Sequence, residues 1–164
     1  MVELKACFEE LGYKNVQTYI ASGNVIFESP KSSAELSEEI QETLPKKFRL
    51  DSELIAVLVL SHDQLQQVIT QAPKGFGTEP ATYYSDAIFL MGIPSEEAIK
   101  IFSPREGVDA VWQGDLVIYS QRLSAQRTKS RLSQIVSSPL YKNMTIRSWG
   151  TTAKLFDMMN AIKR

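Results

Sequence analysis

Chemistry at a protein site needs a nucleophile beside a base, a set of metal ligands, or a concentration of charge, and this chain of 164 residues offers only the third. It has one cysteine, Cys7, and one histidine, His62, which excludes a disulfide within the chain and any cysteine- or histidine-rich metal site. Cys7 falls in the apolar stripe Leu4, Cys7, Phe8, Leu11, a spacing that buries a thiol instead of pairing it with a base. His62 follows Ser61, a candidate helix cap, and is expected at the surface. The Glu38-Glu39 and Glu96-Glu97 pairs sit on the polar sides of helices, and Met158-Met159 is core packing. No catalytic residue, metal ligand or cofactor is named.

The charge is unevenly distributed. Residues 1–115 hold 18 acidic and 9 basic side chains, whereas residues 116–164 hold 9 basic ones and a single carboxylate, Asp157. Arg122, Arg127, Lys129, Arg131, Arg147 and Lys154, with Thr128, form a candidate anion site for a phosphate-containing ligand or a nucleic acid. Residues 126–130 are expected to open a helix, where unpaired amides and the helix dipole would add to the side-chain charge. Tyr141 and Trp149 lie close enough in sequence to stack on bases. The competing reading is that this basic stretch docks on the acidic half or is a solvated face. A net charge of −1 gives no long-range pull on a polyanion. Lys129-Ser130 lacks the upstream glycines of a phosphate-cradling loop.

The elements that must position these residues are short. Residues 1–11 read as an amphipathic helix stopped by Gly12. Alternation through Val16, Thr18 and Ile20, a break at Ala21-Ser22-Gly23-Asn24, and Val25-Ile26-Phe27 predict a β-hairpin. In its turn, Ser22 and Asn24 can line a pocket, or Gly23 and Asn24 can simply supply positive φ. Ser32 and Glu35 form a capping box for a helix that Pro45 should end or kink. Residues 54–60, apolar throughout, read as a buried strand, and a helix follows over the Leu65, Val68, Ile69 stripe. Residues 71–84 have no periodicity and read as a linker. Beyond them the pattern predicts a strand at 87–91, a helix at 95–102, paired strands at 108–112 and 116–120, a helix at 128–136, a strand at 144–149 and a helix at 151–162.

Written as element orders, the second half is β-α-β-β-α-β-α and the first is the same without its opening strand. The expected fold is therefore α+β, two tandem ferredoxin-like (split βαβ) subdomains over residues 1–77 and 78–164, the first missing its opening strand. A sheet lacking one strand bares an edge, so a homodimer through the first subdomain is an expectation too. The longest apolar run is far too short to cross a bilayer, and a lone cysteine fits a reducing, cytoplasmic setting.

The segment GYKNVQTYIASGNVIFES (12–29), after the helix MVELKACFEEL, resembles the signature of a bacterial family, domain of unknown function 1697; PLYKNMTIRSWGTTAKLFDMM (139–159) is similar to that family's closing strand and helix. The resemblance implies two similar α+β subdomains and no activity to carry over. It also implies a leading strand and glycine-containing loop before the first helix, which would place the natural start about 20 residues upstream. In functional terms the expectation is a binding or assembly module with a basic surface over residues 122–154. The alternative is an enzyme acting on a small phosphorylated or anionic substrate in a cleft between subdomains.

Overall fold

The computed structural model describes residues 1–50 and 56–162. Contacts divide the chain into two compact units, Met1–His62 with Leu155–Arg164, and Asp63–Lys154. The division falls upstream of the expected boundary near residue 78 because the intervening residues pack on the second unit's sheet. The Tyr119 hydroxyl donates to the Val68 carbonyl at 2.6 Å, and the Phe76 ring meets Trp112 and Tyr119 edge-on. Residues 71–82 thus lack helix and strand, as expected, yet Phe76 is buried.

The first unit follows the order α1 (Val2–Glu10), β1 (Lys14–Tyr19), β2 (Asn24–Glu28), α2 (Ser33–Lys47). Gly12, at φ +85°, makes the left-handed turn that ends α1 and that a side chain would resist. Ser32 and Glu35 form the expected capping box, the Ser32 amide donating to the Glu35 carboxylate at 2.8 Å. Pro45 falls in the last turn of α2, where it leaves the Gln41 carbonyl without its helical donor, and the helix ends two residues past it. Phe8, Tyr13, Val16, Leu36 and Ile40 make the core, with Tyr13 stacked on Phe27 at 4.4 Å between ring centres. The Tyr13 hydroxyl donates to Glu39, which also accepts from Lys31 Nζ at 2.7 Å.

The strand expected at 54–60 needs correction. Leu54 and Ile55 lie outside the described residues, and 56–60 carry no strand. The Val57 amide donates to Gln41 Oε1 (3.1 Å), and its carbonyl accepts from Ser37 Oγ (2.8 Å). Two side chains one turn apart on α2 therefore hold the backbone groups that a sheet ladder would need. The sheet of this unit, among the described residues, is the β1–β2 hairpin.

Next come α3 (His62–Thr70), β3 (Tyr83–Leu90), α4 (Ser95–Ala98), β4 (Asp109–Gln113), β5 (Val117–Leu123), β6 (Met144–Ser148) and α5 (Trp149–Ile162). The four strands form one antiparallel sheet in the order β4-β5-β3-β6. Its first strand in sequence sits inside and its second at the edge, the ferredoxin-like arrangement. β3 holds the centre because Ala87, Ile88, Phe89 and Leu90 are buried in succession, apolar on both faces. Ile88, Leu90, Ile118 and Met144 pack on one face against Ala98, Phe102, Leu132 and Ile135. The opposite face carries Tyr119, 1% exposed.

Two expected helices are partly or wholly 3-10. The one at 95–102 is α-helical only to Ala98 and tightens into 3-10 over Ile99–Ile101. The one at 128–136 is two 3-10 segments, Ser124–Lys129 and Leu132–Ser137, separated by an extended Ser130 (φ −62°, ψ 143°). A further 3-10 segment spans Pro139–Asn143. No helix among the described residues is long and apolar enough to cross a membrane.

Candidate functional site

Antiparallel pairing sets a row of polar side chains on the core-packed face of the second unit's sheet. Asp109 on β4, Arg122 on β5 and Tyr84 on β3 are cross-strand neighbours, and Asp86 lies one step along β3, opposite both Ser120 and Ser148. Side chains alternate between faces, so Tyr84 and Asp86 share the face of Ile88 and Leu90 but lie toward its open end. The Arg122 guanidinium carbon stands 5.6 Å from the centre of the Tyr84 ring, a cation–π contact. Burial raises the Asp86 pKa, and the charge of Arg122 opposes the rise.

Asp109 organises the neighbouring loops. Its Oδ2 accepts from the Arg105 and Arg131 amides, each at 2.9 Å. Burial would raise its pKa, but these two bonds, the Ser130 side chain and Arg122 more than compensate, and the carboxyl is held below its usual range. This explains the missing helix at 128–136: the Arg131 amide goes to Asp109 and the Leu132 amide to Ser130 Oγ (3.2 Å), leaving no α ladder to propagate. Buried in the same neighbourhood, with no hydrogen-bond partner among the described residues, are Arg105 Nε, Arg122 Nε, Asp109 Oδ1 and Ser124 Oγ.

The residues expected to bind anions are dispersed. Arg127, Thr128, Lys129 and Arg131 are exposed along the 3-10 segments, and Lys154 is exposed on α5. Arg122 is half-buried on the core-packed face. Arg147 pairs with Ala87 and so points to the opposite face. There it donates to Thr145 Oγ1 (3.0 Å) and the Ile146 carbonyl (2.8 Å), and burial lowers its pKa. The expected α-helical N-terminus at 126–130 does not exist, so no helix dipole supports these cations. The linear charge asymmetry also fades once residues are grouped by unit. Asp63–Lys154 holds ten basic and eight acidic residues, net +2, and the other unit eight and eleven, net −3.

The aromatic residues expected to stack on bases are spent internally. Trp149 meets Phe76 edge-on at 5.1 Å, and Tyr141 packs on the core cluster. The sheet face that RNA-binding relatives of this fold leave open is occupied by Phe76 and closed over Tyr119. At its outer end the same face keeps a depression of about 270 Å³, lined by Tyr83, Trp112, Gln121 and Leu123 together with residues 107–110. Neither Arg127, Lys129 nor Arg147 lines it. The carboxylates Asp86 and Asp109 went unnoticed in the sequence, although Tyr84, Asp86, Ile88 and Leu90 alternate, and a carboxylate in such a run is a legible signal.

In the first unit, Ser22, Gly23 and Asn24 build a turn. Gly23 takes φ +76°, and Asn24 Nδ2 donates to the Tyr19 carbonyl (3.2 Å) and to Ser22 Oγ (2.8 Å). The second left-handed residue is Ile20 (φ +49°), not Asn24. Cys7 is buried, and burial pushes its thiol pKa up, the opposite of an activated nucleophile. His62 is half-buried, not at the surface: its ring lies 5.3 Å from that of Phe156, and Nε2 is 2.7 Å from Asn160 Oδ1. Among the described residues, no group of three or more His, Cys, Asp or Glu is placed to hold a metal ion.

Comparison with known proteins adds three findings. A family model described as "Protein of unknown function (DUF1697)" matches residues 1–119. The solved structure of the conserved bacterial protein SP0830 from Streptococcus pneumoniae is similar at 24% identity and a TM-score of 0.78, covering 97% of this chain and 88% of that one. No curated protein matches.

Proposed function

Since the chain belongs to the DUF1697 family of unknown function, we propose its role from its own chemistry: a cytoplasmic, non-catalytic binding module that receives a phosphate-bearing partner on Arg127, Lys129 and Arg131. One observation carries this reading. Three exposed cations lie within five residues, in a stretch from Leu116 to Phe156 with no carboxylate. The nearest acid by contact, Asp109, is committed to the Arg105 and Arg131 amides. The segment is thereby anchored without cancelling the outward charge. Arg147, on the other sheet face, is left out of the surface.

Titrating the protein with inorganic pyrophosphate by calorimetry tests the idea. Affinity should fall as ionic strength rises, and the double substitution Arg127→Glu, Lys129→Glu should reduce it at least tenfold. Unchanged affinity in the double variant would sink the proposal.

A second reading, an enzyme acting on a small anionic substrate, is favoured by Asp86. A half-buried carboxyl with a raised pKa on the face of Arg122 and Tyr84 suits a general acid. On that reading Asp86→Asn abolishes turnover while leaving anion affinity intact.

A further inference from the structure

We infer that the second unit binds a nucleotide, with its base in the depression beside Trp112 and Tyr83 and its phosphate on Arg127 and Lys129. The inference rests on the anion-binding reading above and names its ligand class. The depression, about 270 Å³, lies just under the usual range of small-molecule sites, and its lining mixes apolar Val108, Ala110, Trp112 and Leu123 with polar Tyr83, Asp109 and Gln121. Trp112 is 36% exposed, and its ring is steadied edge-on by Phe76 at 5.9 Å between centres. An exposed indole fixed in this way offers a face on which a flat heterocycle can stack.

Gln121 supplies discrimination. Its Nε2 donates to Ser85 Oγ at 3.0 Å, which leaves the carbonyl end of the amide as an acceptor for a ligand N–H. That suits a base carrying an exocyclic amine, adenine, cytosine or guanine. Leu123 links the two halves of the site, because it lines the depression and immediately precedes the 3-10 segment Ser124–Lys129. Arg127 and Lys129 follow Leu123 by four and six residues, across a kink at Gln126, which at a 3-10 rise of about 2 Å per residue is roughly 8 and 12 Å of chain. A ring seat with cations a short reach away complements a base joined to a phosphate, and matches neither a bare anion nor an apolar molecule.

Intrinsic fluorescence comes from Trp112 and Trp149 together, so it is read in the Trp149→Phe variant, where Trp112 is the one remaining indole. Adenosine 5′-monophosphate should quench it saturably and bind at least tenfold more tightly than either adenosine or inorganic phosphate. Gln121→Leu and Tyr83→Ala should each weaken the nucleotide at least fivefold while leaving phosphate affinity unchanged, which also shows that the variants are folded. The double variant Arg127→Glu, Lys129→Glu should weaken nucleotide and phosphate together and spare adenosine. A short single-stranded oligoadenylate that binds more than tenfold tighter than the mononucleotide identifies nucleic acid as the source; equal binding identifies the free nucleotide. If the nucleotide binds no more tightly than inorganic phosphate, the base seat is wrong and the anion surface stands alone. If charge reversal leaves phosphate binding untouched, the anion surface fails and this inference falls with it.

Discussion

Asp109 lies directly opposite Arg122 in the β4–β5 pairing, yet its Oδ2 is committed to two backbone amides, those of Arg105 and Arg131, each at 2.9 Å. An internal carboxylate thus occupies donors that the sequence seemed to offer to an external anion. Asp109→Ala would leave both amides unsatisfied and should cost about 2–3 kcal/mol in urea unfolding. Asp109→Asn keeps an acceptor and should cost about 1 kcal/mol. The folded-state pKa is lowered, so this contribution is present above the ordinary aspartate range and lost as pH falls through the folded value. A denaturation series from neutral to acid pH should show wild type converging on Asp109→Asn.

Asp86 should behave in the opposite sense. Burial raises its folded pKa, so the folded state takes up a proton before the unfolded state does, and stability declines as pH rises through that window. Asp86→Asn should be more stable than wild type at neutral pH, with the difference vanishing on acidification. A neutral-pH loss of stability on this substitution would mean that the charged form is held by partners stronger than Arg122.

Gly77 takes φ +73°, and a Cβ there would stand 1.9 Å from Trp149 Cδ1. Gly77→Ala should cost about 3 kcal/mol, backbone strain and overpacking together. Gly75 is the internal control: it has φ +77°, but its nearest atom is Thr78 Oγ1 at 3.9 Å. Gly75→Ala should pay only the left-handed penalty, about 1 kcal/mol. Equal losses in thermal unfolding would contradict the contact with Trp149.

Ile20 carries a β-branched side chain at φ +49° while 50% exposed. It accepts backbone strain and buries little in return. Asparagine tolerates that conformation, so Ile20→Asn should stabilise the protein by about 1 kcal/mol, read as a raised denaturation midpoint. A loss instead would show that the isoleucine packs on something more valuable than its backbone costs.

Local chemistry was legible where it is self-contained. The Ser32–Glu35 box, the Gly12 stop and the hairpin around Gly23 each depend on residues a few positions apart, and the order β-α-β-β-α-β of short elements anticipated the arrangement of the second sheet. What escaped the sequence depends on distant partners. Residues 128–136 have an amphipathic spacing that an α-helix and a 3-10 run share, and only Asp109, more than twenty positions upstream, diverts the Arg131 amide. The strand reading of 54–60 missed that Ser37 and Gln41 take the Val57 backbone groups. Trp112 read as an ordinary strand aromatic and Tyr83 as part of the 71–84 linker, whereas Phe76 covers Tyr119 and leaves both at the rim. The basic stretch looked stronger in linear sequence than in the unit it belongs to, which also contains eight acidic residues.

The first unit closes with residues from both ends of the chain: His62 meets Phe156 and Asn160, ninety-odd positions later. During translation, at roughly 5–20 residues per second, the ribosome delivers every residue of 63–154 before it delivers those partners. The unit begun first is therefore completed last, and the nascent chain carries an unfinished module for several seconds while the middle of the polypeptide already has all it needs to fold.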